Sequence, residues 1–231
     1  YINHVVEDPF EPASVCKTFT FAAATELGVM TADKTFTNYG EVTIDGWPIR
    51  NAEQGANLLG TQTMQTAFNY SLNTGSTQAL RWMGGSETEI TDAAREKLYD
   101  YYYNHFGLGH YTGIELYESP GYLVEPHADM YGLASLYANM TFGQNMQATM
   151  IQVASAISSV VNGGKYYTPT IVAGKMVNGE FIAEEKREAA RQTISEETSA
   201  AMRQMLYNTR SMWRINGTDP EGYYVGGKTG T

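Results

Sequence analysis

Helical spacing of apolar residues dominates this chain and confines it to a fold built mainly from packed helices. From Ser14 to about Leu27 the apolar positions Phe19, Ala22, Ala23 and Leu27 share one helical face, and Gly28 follows as a stop. Further helices are expected over 61–70, 75–83, 91–106, 128–139, 148–161 and 195–208. The 91–106 segment starts at a Thr cap and stops at Gly107, and the last helix carries Glu196 and Glu197 in its first turn. Strand signals are sparser. Residues 35–60 are turn-rich with short pieces such as Val42–Ile44, and 172–182 reads as a hairpin about Asn178-Gly179. Tyr223-Tyr224-Val225 reads as a strand near the end of the sequence, one whose sheet partners are absent.

The 231 residues suffice for one domain with its own core, or for two small ones. No apolar run reaches the ~18 to 20 residues that a membrane span needs. The chain opens on Tyr1 rather than Met, so a processed or excised piece is expected, and missing targeting elements carry no weight. The formal net charge of -10 disfavours nucleic acid and anionic membranes as partners but not peptides. One cysteine, Cys16, excludes an internal disulfide and reads as a small buried apolar residue. His4, His105, His110 and His127 are scattered, without an HExxH or a cysteine pair, so no metal or organic cofactor is expected.

Three short motifs carry chemistry. In Ser14-Val15-Cys16-Lys17 the serine and lysine are three apart, on one helical face, so the Lys17 amine can reach the Ser14 hydroxyl. Ser14 would stand at the helix N-terminus, where backbone N–H groups favour a developing anion. Taken alone, an SxxK is better explained as a plain serine cap. Ser71-Leu72-Asn73 offers a hydroxyl that can relay a proton and an amide that can hold a carbonyl, yet by itself it reads as a polar helix end. Lys228-Thr229-Gly230-Thr231 offers an ammonium group, a hydroxyl and a glycine that lets a substrate backbone approach, and by itself reads as a Gly-rich strand end. Each motif occurs once, in the order SxxK, SxN, KTG, which is far more specific than any member. That order is the signature of penicillin-binding proteins and serine β-lactamases.

The surroundings of the motifs extend the likeness. The segments Phe10-Glu11-Pro12-Ala13-Ser14, Gly46-Trp47-Pro48-Ile49-Arg50-Asn51, Phe106-Gly107-Leu108-Gly109 with Thr112-Gly113-Ile114, and Thr141-Phe142-Gly143-Gln144 resemble the transpeptidase domain of class B penicillin-binding proteins, especially the cell-division type. The Gln152 helix ending in Asn162-Gly163-Gly164 is similar as well, so the likeness covers nearly the whole chain. It implies an α+β fold, β-lactamase/transpeptidase-like, with helices packed on an antiparallel sheet; this chain would hold mainly the helical part and one core strand. Residues 1–231 would be one transpeptidase domain, apparently truncated at both ends and inactive as an isolated chain. Ala13 replaces the usual Gly before the serine, so the turn must avoid positive φ or accept strain.

The resemblance also implies roles. Ser14 would attack the acyl carbonyl, Lys17 would activate it, and Ser71 would relay a proton to the leaving amine. Asn73 would help hold Lys17 and the substrate amide. Lys228 and Thr229 would bind a carboxylate, Gly230 would admit the substrate, and the N–H groups of Ser14 and Thr231 would form the oxyanion hole. The activity implied is peptidoglycan D,D-transpeptidation of stem peptides, with covalent acylation by β-lactams. The parent would lie on the extracytoplasmic face of the bacterial membrane, anchored by a segment outside this chain, beside a glycan polymerase and division proteins. A neutral lysine near pH 7 costs roughly 4 to 5 kcal/mol, which burial and a second cation, Lys228, would help to supply.

Three other readings stand beside this one. A serine β-lactamase shares SxxK and KTG, but the usual Ser-Asp-Asn has Leu72 in place of Asp here. A penicillin-sensor domain would acylate without transpeptidation. Residues 222–229 also fit GxxxxGK[ST], the phosphate-cradling loop, which needs an apolar strand before it and a helix after it.

Overall fold

The computed structural model describes residues 2–52, 55, 57–185, 187–213 and 219–230. Among them, helices outweigh strands. The helices are α1 (Lys17–Glu26), α2 (Met64–Asn69), α3 (Asn73–Met83), α4 (Asp92–Asp100), α5 (Leu133–Met140), α6 (Met150–Val161) and α7 (Glu196–Trp213). A 3-10 turn, Ala13–Cys16, leads into α1, and a π turn, Tyr101–His105, extends α4. The strands form four two-stranded antiparallel ladders. β1 (Thr35–Asn38) pairs with β4 (Gly60–Thr63), and β2 (Glu41–Ile44) with β3 (Trp47–Arg50). β5 (Lys165–Tyr166) pairs with β8 (Arg191–Gln192), and β6 (Gly174–Val177) with β7 (Glu180–Ala183).

The architecture is α+β and largely helical. α1 is its axle: every residue from Lys17 to Ala24 is buried, as expected of a helix enclosed on all sides. α3, α6, α7 and the π turn pack around it. Phe19 lies against Phe106 at 5.4 Å between ring centroids, and Phe21 against Phe68 at 5.0 Å. Helix starts follow their caps. The Thr63 hydroxyl accepts from the Thr66 N–H at 3.1 Å, and Thr91 does the same for Ala94 at 3.2 Å.

Three expectations need correction. Residues 60–63 are strand β4 rather than the first turn of a helix, because their backbone groups are taken by β1 and Thr63 is extended (φ -80, ψ 159) before α2 can begin. The helix expected over 128–139 starts only at Leu133, since Gly132 stands at φ 73, which a right-handed helix cannot include. The core strand expected at Tyr223–Val225 does not form. Those residues have no ladder partner among the described residues, and their side chains are exposed. The segment is held otherwise: the Val225 N–H donates to Asp219 at 3.2 Å, and the Gly227 N–H donates to the Leu206 carbonyl of α7 at 3.1 Å. The Asn178-Gly179 hairpin forms as expected, with φ 51 and 86 at the two turn residues.

Candidate functional site

The site is assembled where two αL residues turn the chain. Among the described non-glycine residues, φ is positive at Ala13, Asp45, Ser71, Asn145 and Asn178. Asp and Asn tolerate that region; alanine and serine do so at a cost of about 1–2 kcal/mol each. Those two costly positions flank the reactive cluster.

Ala13, at φ 52, accepts the strain foreseen for a residue that replaces glycine. Its N–H donates to the Gly143 carbonyl at 3.1 Å, and the backbones approach so closely that a Cβ on Gly143 would lie 2.2 Å from the Ala13 oxygen. This contact fixes the turn that presents Ser14. Ser71 stands at φ 56 just past the end of α2. Its N–H donates to the Phe68 carbonyl at 3.2 Å, and the Leu72 N–H donates to the Ala67 carbonyl at 2.8 Å. That pair of bonds is a Schellman motif, in which glycine normally holds the αL position.

Both turns aim at one amine. Lys17 is completely buried, and its Nζ lies 2.9 Å from Ser14 Oγ and 2.9 Å from Ser71 Oγ. It also lies 2.7 Å from the Ser71 carbonyl and 2.7 Å from Asn73 Oδ1. Lys228 Nζ comes to the other side of the same hydroxyl, 2.9 Å from Ser71 Oγ, and 3.0 Å from its neighbour's carbonyl at Thr229. Burial holds the Lys17 amine well below the ordinary lysine range, and the positive charge of Lys228 lowers it further. Burial alone brings Lys228 down to about 8. The electrostatic expectation, with burial first and a second cation after it, agrees with this arrangement.

The structure therefore brings Ser14, Lys17, Ser71, Asn73 and Lys228 together. Asn73 has one end on Lys17 and the other, Nδ2, donating to the Arg50 carbonyl at 2.8 Å. Gly230 runs past the Ser14 turn, where a Cβ would lie 3.4 Å from the Pro12 oxygen and 3.0 Å from Val15 Cγ2. Thr229 is exposed beside it. Thr231, expected to line the oxyanion hole, lies outside the described residues. Cys16 packs inward against Met146 Sδ at 3.7 Å, and burial pushes its thiol up, so it is an inert core residue. A cavity of about 920 Å³ lies behind the Ser14 turn, lined by Val15, Thr18, Leu206, Tyr207 and Lys228 among others. It reaches the site through Lys228, but Ser14, Lys17 and Ser71 do not line it.

The phosphate-loop reading of 222–229 fails. No strand leads directly into the segment and no helix follows it among the described residues, and its lysine is turned onto Ser71. Sequence reasoning missed Gly143 and the Arg50 carbonyl as parts that hold the site. Only the Thr141-Phe142-Gly143-Gln144 and Gly46–Asn51 likenesses hinted at them.

A serine hydroxyl, a depressed amine, a second hydroxyl and a second cation lie in mutual contact, a serine–lysine arrangement that acyl transfer can use. Residues 1–231 match the penicillin binding protein transpeptidase domain, and the chain belongs to that family. It is 31% identical to penicillin-binding protein PbpB of Mycolicibacterium smegmatis over 99% of this chain and 34% of that protein. It is 32% identical to stage V sporulation protein D of Bacillus subtilis over 99% of this chain and 34% of that protein. The chain thus spans about a third of the length of these curated relatives. Penicillin binding protein 3 of Mycobacterium tuberculosis, solved in complex with aztreonam, superposes with a TM-score of 0.75 at 27% identity, covering 97% of this chain and 45% of that one. The D,D-transpeptidase domain of a peptidoglycan glycosyltransferase from Eggerthella lenta shares the fold, with a TM-score of 0.81 at 22% identity over 99% of this chain and 55% of that one.

Proposed function

We propose that this chain carries the acylation centre of a peptidoglycan D,D-transpeptidase and that β-lactams acylate Ser14. The observation that carries the reading is the contact of the buried Lys17 amine with both Ser14 Oγ and Ser71 Oγ, each at 2.9 Å. A neutral amine there accepts the Ser14 proton as Oγ bonds to the D-Ala carbonyl carbon. The tetrahedral intermediate then collapses, the peptide C–N bond breaks, and the proton passes from Lys17 through Ser71 to the leaving amine. An acceptor amine later takes the acyl group and regenerates Ser14. Asn73 Oδ1 steadies Lys17, and Lys228 with Thr229 and Gly230 meets the substrate carboxylate. The N–H groups of Ser14 and Thr231 receive the oxyanion, a donor being worth about 3 to 4 kcal/mol.

For the whole protein we infer cross-linking of stem peptides on the extracytoplasmic face of the membrane, beside a glycan polymerase and division proteins. The names of the relatives support this reading, since they include a probable peptidoglycan D,D-transpeptidase FtsI from Caulobacter vibrioides. No helix of the described residues is long and apolar enough to cross a membrane. Residues 1–231 are read as part of one transpeptidase domain.

The test is mass spectrometry of the full-length protein after penicillin treatment. A stable adduct on the Ser14 peptide is expected. An adduct elsewhere, or no adduct, overturns the reading, and rapid β-lactam turnover would make the protein a β-lactamase instead.

A further inference from the structure

The amide of Asn73 touches Lys17, yet nothing in its own helix dictates which end of the amide faces the amine. A neighbouring dipeptide does. The Arg50 carbonyl accepts from Asn73 Nδ2 at 2.8 Å, so Oδ1 is the end left for Lys17 Nζ, at 2.7 Å. The next residue, Asn51, accepts on its side-chain Oδ1 from the Thr74 N–H at 3.1 Å. That N–H belongs to the peptide group joining Asn73 to Thr74. One dipeptide at the end of β3 therefore grips Asn73 twice, by its side chain and by its backbone.

The grip is itself built into the interior. Asn51 is 9% exposed, Thr74 7% and Asn38 1%. Asn51 Nδ2 donates to Asn38 Oδ1 at 3.1 Å, and the Thr74 hydroxyl donates to the same oxygen at 2.9 Å. Asn38 Nδ2 donates to the Leu58 carbonyl at 2.6 Å, and Asn38 Oδ1 also accepts from the Gly40 N–H at 2.9 Å. The Asn51 N–H donates to the Gly40 carbonyl at 3.1 Å. Three buried polar side chains joined in this way are costly if any member is left unpaired, and each of them has a partner within the cluster, with the Thr74 hydroxyl also within 3.2 Å of Asn51 Oδ1.

We propose that Asn51 is a positioning residue for acylation: it locks the start of α3 so that Asn73 presents its oxygen, not its NH2, to Lys17. The inference rests on the acylation reading given above. An amide oxygen facing the amine favours the protonated lysine, and an NH2 or a gap in its place favours the neutral one. Loosening the clamp therefore lowers the Lys17 pKa further while spoiling its alignment with Ser14. The groups facing that amine are Ser14, Ser71, Asn73 and Lys228, with the Phe142 ring at 5.6 Å and Cys16 behind it.

The experiment uses full-length protein and a fluorescent penicillin, with Asn51→Ala and, as a stability control, Thr91→Ala, which removes the cap of α4 away from the site. Asn51→Ala is expected to slow Ser14 acylation at least 10-fold and to move the acidic limb of its pH profile to lower pH. Thr91→Ala should lower Tm and leave both unchanged. A 13Cε-lysine NMR titration of Lys17 in wild type and Asn51→Ala reads the same shift without acylation. If wild type is not labelled at Ser14, the functional reading falls, and the titration still decides the clamp. An Asn51→Ala protein whose Lys17 titration is unmoved overturns the inference, as does a Thr91→Ala protein that loses as much acylation as Asn51→Ala for the same drop in Tm.

Discussion

The two lysines of the site are held in different ways. Lys17 opens a helix that is buried without a break as far as Ala24, with no exposed surface of its own and four oxygens within 2.9 Å of its amine. Lys228 comes from an exposed segment without regular structure and touches Ser71 Oγ and one carbonyl. Burial depresses both, but Lys228 only to about 8, while Lys17 is driven well below its usual range by burial and by Lys228 in turn. The deep lysine is thus the one that can be neutral and take a proton. The shallow one keeps its charge near neutral pH and lowers its neighbour, and in the proposed reaction it is the one that meets an anion.

Substitutions test that division of labour. Lys17→Arg has the largest expected effect: a guanidinium stays charged, so acylation should fall by about 10³-fold or more, within the range general-base loss produces. Penicillin-labelling kinetics check this, and near-normal labelling would remove Lys17 from the base role. Gly143→Ala comes next. Its Cβ would meet the Ala13 backbone, so a loss on the order of 3 kcal/mol is expected from overpacking and αL strain together. Thermal unfolding measures it, and slowed labelling should accompany it.

Lys228→Gln should move the acidic limb of the acylation profile to higher pH, because losing the neighbouring cation lets the Lys17 pKa rise. An unmoved limb would show that burial alone sets Lys17. The same residue gives a stability signature. A lysine whose pKa is lower folded than unfolded binds fewer protons in the folded state, so stability rises with pH between about 8 and the unfolded value of roughly 10.4. Tm measured across that window should gain less with pH in Lys228→Gln than in wild type. The smallest effect belongs to Ala13→Gly, which should add about 1 kcal/mol at an αL position by removing strain, less what glycine's freedom adds to the unfolded chain. A destabilised variant would mean that the Ala13 methyl is needed there.

Much of the site was legible because its parts obey local spacing. Ser14 and Lys17 meet because residues three apart share a helical face, and the rarity of the three motifs in that order linked positions far apart in sequence. Other features depended on tertiary partners. Thr61–Thr63 carries no apolar alternation, so only its pairing with β1 reveals a strand. Tyr223–Val225 has strand-like side chains but no neighbouring strand among the described residues, and a ladder takes two. The αL state of Ser71 was hidden for a third reason: the residue that best suits that turn is glycine, and serine sits there against local preference.

That misfit at position 71 bears on how such a chain can drift. Glycine would serve the end of α2 better than serine does, so selection for heat resistance alone would tend to place it there. The variant would fold more firmly and lose the oxygen that stands between the two amines. A homologue hardened in this way would keep the shape of the cleft and lose the proton route proposed above, which makes residue 71 a place to look for copies that have stopped working.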